Sequence, residues 1–426
     1  MQETIIIIGA GAAGLMAARQ LGRAGYAVTV LEGAGRSGGR IHTVEAPGFE
    51  QAIELGAEFV HGRLPLTFSL LEEAGLTCVP VTGRMRRVKN GQWQEQEDFT
   101  IDWDLLMRRL HELKEDMTMA DFLRTRFAGD EYAALRFSVQ RFAEGFDVAD
   151  INNVSALALR EEWGHEEHEQ YRIPGGYGRL VDHLVQQCTA AGVVIYHSCI
   201  VKAIHWTKDD VQVSCANGRQ FRSNKLVVTV PAGVLQAGVD QTTGIAFTPA
   251  PGAYVRAMHN IGYGTVTKFL LQFNTPFWNS YAKNTGFIIS EEPVGTWWTQ
   301  SEHSGLLTGW LGGPRAAQLE GMNEADIVQL ALRSLAAIFN KTVPELQALL
   351  VQARVANWQS NPFSMGAYSY DTIHTAAARQ LLRTPLENTL FFAGEALYEG
   401  VSPGTVEAAL NSGDAVAQLL LHEKGR

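Results

Sequence analysis

The most constraining stretch of the sequence runs from Ile5 to Glu32. Ile5, Ile6, Ile7 and Ile8 form a short β-branched run stopped by Gly9, the pattern of a strand buried on both faces. Gly9, Gly11 and Gly14 then follow at GxGxxG spacing, where successive glycines allow a tight turn, close approach of backbone to a pyrophosphate, and close packing of helix on strand. Leu15, Met16, Ala18 and Leu21 mark a helix whose N-terminal amides face the phosphates. Val28, Val30 and Leu31 make a second strand, and Glu32 ends it where a carboxylate can hold an adenosine ribose. Alone, the glycine spacing would be a weak signal. With strand, helix, second strand and acid in order, it specifies a dinucleotide site on an α/β fold.

A chain of 426 residues exceeds one ordinary core, so two intertwined domains are expected. Its formal charge of −10 argues against a nucleic-acid partner, which calls for a basic footprint, and favours cationic small molecules. Cys78, Cys188, Cys199 and Cys215 show no CxxC and no metal spacing, and read as reduced core thiols of a cytoplasmic protein. The isoleucine run is short, lacks a basic leader and ends in the glycine turn, so it does not read as a signal peptide. No apolar stretch is long enough to span a bilayer, and the C-terminal residues offer no anchor.

After the second strand comes Gly35-Arg-Ser-Gly-Gly-Arg40, glycines that let main chain lie against phosphate and two guanidinium groups that supply charge. Glu54-Leu-Gly-Ala-Glu-Phe-Val-His-Gly62 follows. Together these segments resemble the flavin-containing amine oxidase family, and the second is closest in form to the spermine and acetylpolyamine oxidases. The resemblance covers essentially the whole chain. It implies FAD as the dinucleotide, bound through Gly9, Gly11, Ala13, Gly14, Glu32, Gly33, Arg36, Gly39, Arg40, Gly56, Ala57, Glu58, Val201, Trp358, Gly394, Glu395, Gly404 and Thr405. His61 matches a histidine near the bound amine, although a lone histidine is more often structural.

Further along, Thr265-Val-Thr-Lys-Phe-Leu-Leu-Gln-Phe273 places one charged residue inside an apolar strand, and burying an ammonium is costly without partners. Lys268 matches the family lysine that holds a water against flavin N5; the bland alternative is a lysine on an exposed strand face. Trp358 to Tyr370 resembles the segment over the flavin ring. Ala367 falls where monoamine oxidases carry a cysteine bonded to FAD, so the resemblance implies non-covalent FAD here. Tyr368 matches one wall of the family's aromatic cage, and Thr405 stands where monoamine oxidases have the second tyrosine. The closing segment, Leu390-Phe-Phe-Ala-Gly-Glu395 through Gly413, brings Gly394 and Glu395 to the cofactor and starts the last helix near Gly404. A helix N-terminus there would stabilise negative charge on the reduced flavin.

The rest of the chain is less informative. From about Gly83 to Ile173 the sequence reads as a charged helical insertion. Leu106, Leu110 and Leu113 recur at helical spacing, as do Tyr132, Leu135, Val139, Phe142 and Phe146; both stripes read as core. The glutamates of 161–169, with His165 and His168, read as a solvated loop rather than a metal site. Trp297 and Trp298 are equally compatible with a cation–π wall for an amine and with core, and Trp310 reads as core.

The expected architecture is α/β: a Rossmann-like FAD domain from residues 1–82, 174–240 and 385–426, and a mixed-sheet and helical substrate domain from 83–173 and 241–384. Lys268, His61, Tyr368 and Thr405 are the expected catalytic residues. The resemblance implies oxidation of a small amine at its C–N bond, hydride-equivalent transfer to the flavin, imine hydrolysis, and reoxidation by O2 to hydrogen peroxide. Rival readings are a desaturase, an L-amino acid oxidase, for which Arg63 leaves the question of a carboxylate partner open, and a non-catalytic FAD-binding protein. Histone demethylation is disfavoured, because no tower-like insertion or chromatin module is visible.

Overall fold

A computed structural model of the protein describes residues 3–95, 100–165 and 169–423. The isoleucine run forms the strand Thr4–Ile8 at the centre of a five-stranded parallel sheet. The strand order is Val194–Tyr196, Ala27–Leu31, Thr4–Ile8, Lys225–Val228, Leu390–Phe392. Side chains of a strand alternate between faces, and here both faces are covered. Ile5 and Ile7 pack under the helices Ala12–Arg23, Gly178–Ala190 and Val406–Glu423. Ile6 and Ile8 pack on a four-stranded sheet built from Val201–Thr207, Asp210–Cys215, Gln220–Ser223 and Ala246–Thr248. That sandwich explains why a run of four isoleucines, rather than an alternation, encodes the central strand.

The second unit is a seven-stranded mixed sheet. Its central strand Val266–Phe273 is buried throughout and pairs antiparallel with Leu306–Gly312 on one side and Leu350–Asn357 on the other. Phe269, Leu271 and Phe273 face the helix Glu324–Phe339. The alternate residues face the dinucleotide unit: Leu270 packs on Ile53 and Leu55, and Lys268 reaches Gly56 and Glu58. The period of two therefore sends an ammonium into the boundary between the two units.

The helical insertion needs a correction at its start. Arg84–Lys89 and Gln92–Glu95 form a hairpin at the edge of the seven-stranded sheet, with Arg84–Lys89 parallel to Thr285–Ser290. Helices begin at Trp103–His111 and continue with Met119–Arg126, Ala133–Gly145 and Ala156–Gly164 around a core that includes Leu106, Leu110, Leu135 and Val139. The expected loop at 161–169 likewise starts as the last turn of a helix, and His168 lies outside the described residues. Among the described residues no group of three potential ligands could hold a metal, and no helix is long and apolar enough to cross a membrane. All four cysteines are free; Cys188, Cys199 and Cys215 are buried and Cys78 is half-buried.

Candidate active site

One cavity of about 1380 Å³ runs between the two units. Ordinary ligand pockets hold roughly 300–1,000 Å³, so this one has room for a dinucleotide and a second molecule. All the expected site residues line it except Gly14.

At the dinucleotide end, Gly14 does its work by packing instead. A Cβ there would lie 1.9 Å from the Gly9 carbonyl oxygen, so only glycine lets helix and strand meet at this angle. Gly11 behaves oppositely: a Cβ would meet nothing within 4 Å, because the residue opens onto the cavity. No side chain caps the helix Ala12–Arg23 that Gly11 starts, leaving its first amides for a ligand. The Glu32 carboxylate accepts hydrogen bonds from the Ala10 and Ala34 amides, both at 2.7 Å. A carboxylate has about four acceptor sites, so each oxygen keeps capacity for a ribose hydroxyl. Gly33, Gly39, Gly56, Ala57, Val201 and Gly394 supply the remaining small or apolar wall. A glycine-lined trough with an uncapped helix end and a buried acid at its edge fits an adenine dinucleotide.

The two arginines of the glycine-rich loop carry a load that their sequence did not announce. Arg36 donates to the carbonyls of Ser37, Gly39 and Ile41, tying its own loop into shape. Arg40 donates to the Ala367 carbonyl at 2.6 Å and pairs with the buried Glu395 at 2.8 Å. The other oxygen of Glu395 accepts from the Ser369 hydroxyl at 2.6 Å. This chain of contacts joins the loop at 36–40, the segment at 367–369 and the turn after Leu390–Phe392. Trp358 adds another tie through its indole nitrogen to the Leu55 carbonyl.

The other end is aromatic. Lys268, 1 % exposed, places its ammonium 2.6 Å from Glu58 Oε2, 3.2 Å from the Gly56 carbonyl and 5.4 Å from the Trp298 ring centre. Trp298 packs against Phe59 and Trp310, and Phe59 meets His61, which in turn meets Phe146. The Tyr368 hydroxyl donates to the Phe146 carbonyl, and a Cβ on Gly404 would lie 2.9 Å from the Tyr368 ring. Burial lowers the His61 pKa to about 4, so the imidazole is neutral at pH 7. Burial likewise raises Tyr368 well above the ordinary phenol range, keeping it protonated.

These positions refine the readings of five groups. Trp298 is a cavity wall and Trp297 is core, because neighbours on a strand face opposite ways. Trp310, expected in the core, lines the cavity with its indole nitrogen on the Gly145 carbonyl. Phe142 and Phe146 pack in the helical core as expected and line the cavity as well. The Thr405 hydroxyl accepts from the Ala408 amide and donates to the Ser402 carbonyl, so it caps the helix Val406–Glu423. The Glu58 carboxylate is taken up by Lys268, Arg172, Trp298 and Gln300, all protein donors.

Comparison with known proteins agrees with this geometry. Residues 12–421 match the model of the flavin-containing amine oxidoreductase family. The chain is 29% identical over 97% of its length to Polyamine oxidase 2 of Arabidopsis thaliana and covers 87% of that protein. It is 26% identical to Lysine-specific histone demethylase 2 of Homo sapiens, of which it spans about half, 52%. Among solved structures, cyclohexylamine oxidase from Brevibacterium oxydans IH-35A superposes with a TM-score of 0.81 at 19% identity, covering 100% of both chains. A putrescine oxidase bound to putrescine superposes with a TM-score of 0.81 at 18% identity, covering 99% of both chains.

Proposed function

The chain belongs to the flavin-containing amine oxidoreductase family, and from that premise we propose that it oxidises a small amine to an imine, with O2 as electron acceptor. It is an FAD-dependent amine oxidase by family; the substrate and products are the proposal. Bound FAD supplies the two-electron acceptor, and the protein supplies orientation, electrostatics and proton handling. The observation that carries the reading is the buried Lys268 ammonium, delivered by a fully buried strand to the aromatic end of a cavity whose other end is a glycine-lined trough.

In this reading the aromatic walls from Phe59, Trp298, Trp310 and Tyr368 hold the amine's apolar body and exclude water. His61, neutral at pH 7, offers a ring nitrogen to accept a hydrogen bond from the substrate nitrogen. Lys268 holds a proton at Nζ beside the reacting centre, where it positions water or serves oxygen reduction. The imine is hydrolysed to an aldehyde and an amine or ammonia, and O2 leaves as hydrogen peroxide. The polyamine oxidase and putrescine oxidase likenesses make di- and polyamines natural candidates beside monoamines.

Oxidation of an amino acid is a second reading with one observation in its favour. Arg63, Arg87, Lys89, Arg141 and Arg315 also line the cavity, a cationic set able to attract a carboxylate. Arg141 and Arg315 spend donors on carbonyls of the 291–293 turn, which weakens the case. Peroxide release from a panel of monoamines, diamines, polyamines and amino acids decides between the readings. Turnover of amines supports the first, turnover of amino acids alone supports the second, and release from neither contradicts both.

A further inference from the structure

The Glu58 carboxylate has an unusual division of labour. Oε1 accepts from three donors: Arg172 Nε at 3.1 Å, Trp298 Nε1 at 2.9 Å and Gln300 Nε2 at 2.9 Å. Oε2 faces Lys268 Nζ at 2.6 Å. Three donors, from the strands Gln170–Arg172 and Thr296–Thr299 and from Gln300 just after the latter, therefore fix the plane of the carboxylate and leave one oxygen for the ammonium. Those donors are held in turn. Arg172 also donates to the carbonyls of Thr299 and Gln300 and stacks 4.9 Å over Phe59, and Gln300 donates to Thr308.

The ammonium is equally constrained. Of its three donors, one goes to Glu58 and one to the Gly56 carbonyl, which leaves one to reach into the cavity. The direction of that third donor is set by the other two, and so by Glu58. Charge follows the same arrangement. Lys268 and Arg172 are the cations facing the buried acid, and Glu54 is the second carboxylate acting on the group, itself held by Thr43 and the Tyr177 amide. His61 is neutral and adds no charge.

We propose that Glu58 is a positioning residue for the reaction: it holds the Lys268 ammonium charged and aimed, and touches neither cofactor nor substrate through its carboxylate. The functional unit is then a buried ion pair whose members lie 210 positions apart in sequence, rather than a lone lysine. An ammonium left without a counter-charge in this surrounding would be driven toward the neutral amine by desolvation. Glu58 thus places a counter-charge within hydrogen-bond distance of Nζ.

The proposal rests on the reading that Lys268 acts in the reaction, and the experiment separates the two. Wild type, Glu58→Gln, Lys268→Met and the double variant are prepared as holoenzymes. The rates of anaerobic flavin reduction by a substrate amine and of reoxidation by O2 are followed against pH, with the visible spectrum of the oxidised bound flavin recorded over the same range. Expected is that the alkaline limb of the Lys268-dependent step moves at least about one pH unit lower in Glu58→Gln, the scale of a lost buried counter-charge. The flavin spectrum should change over the same interval. In the Lys268→Met background Glu58→Gln should shift neither rate nor spectrum further, as required of a residue acting through another. Should Glu58→Gln fail to accumulate with flavin, the charge-balanced Glu58→Gln/Arg172→Gln variant is read the same way. A wild-type limb and spectrum in Glu58→Gln, with Lys268→Met impaired, would overturn the positioning role alone. Wild-type rates in Lys268→Met would overturn the reading of the lysine and this inference with it.

Discussion

Replacing Glu32 by alanine tests the dinucleotide end, and the structure sets the size of the effect. The carboxylate accepts two backbone amides at 2.7 Å, from Ala10 in the glycine turn and Ala34 after the second strand. Hydrogen bonds to a charged group contribute roughly 1.5–3 kcal/mol each. Glu32 is 7 % exposed but lies on the cavity wall, where water can partly replace it, so the low end applies. The protein without FAD should therefore lose about 3 kcal/mol of stability from these two amides. With FAD present, the bonds to the ribose are lost as well; another ~3 kcal/mol corresponds to about a hundredfold in affinity. Glu32→Ala should be isolated largely flavin-free, and Glu32→Gln, which keeps one acceptor oxygen, should fall between it and wild type. The ratio of flavin to protein absorbance after purification, with urea unfolding of the apoproteins, measures both terms. Wild-type flavin content in Glu32→Ala would refute the assignment of this carboxylate to the cofactor.

Lys268→Met should keep fold and flavin, because methionine matches the lysine stem and Arg172 still balances Glu58. It should slow one of the two half-reactions by about a hundredfold, typical of a lost acid–base group, as read by stopped-flow absorbance. Acid precipitation should release the yellow colour into the supernatant, because Ala367 offers no sulfur for a thioether; colour in the pellet contradicts non-covalent binding. Burial raises the Glu58 pKa, but the charges of Lys268 and Arg172 and the hydrogen bonds from Lys268 and Gln300 outweigh it and hold the carboxyl at about 2. A folded-state pKa below the unfolded value gives stability that is present above pH 4.5 and lost as pH falls toward 2, about 3 kcal/mol in all. The difference in unfolding free energy between wild type and Glu58→Gln should shrink across that window, and a constant difference would show that the carboxylate is not ionised in the fold.

The residues that were legible in sequence are those whose role is local. Ile5 to Glu32 forms one continuous strand, turn, helix and strand, so spacing alone brings Gly11 and Glu32 to one end of the cavity. Lys268 stood out because a charge inside an apolar run has to be paired. What stayed hidden depends on partners far along the chain. The spacing of Phe142 and Phe146 reveals that one helix face is covered, but not that the same rings also border a cavity. Trp297 and Trp298 could be told apart only once the strand's two faces had identities. Arg40 and Glu395, both expected beside the cofactor, are also each other's partners across 355 positions. The Thr405 hydroxyl, expected to act in catalysis, also caps a helix while Thr405 lines the cavity, and its place just before Val406–Glu423 could have signalled the cap.

The central claim, that this cavity oxidises amines, is tested most directly by mixing the holoenzyme with amines in the absence of oxygen. The account predicts that at least one small amine bleaches the visible absorption of the oxidised flavin, and that admitting O2 restores it with release of one equivalent of peroxide. Full bleaching by dithionite, with none by any monoamine, diamine, polyamine or amino acid, would contradict it.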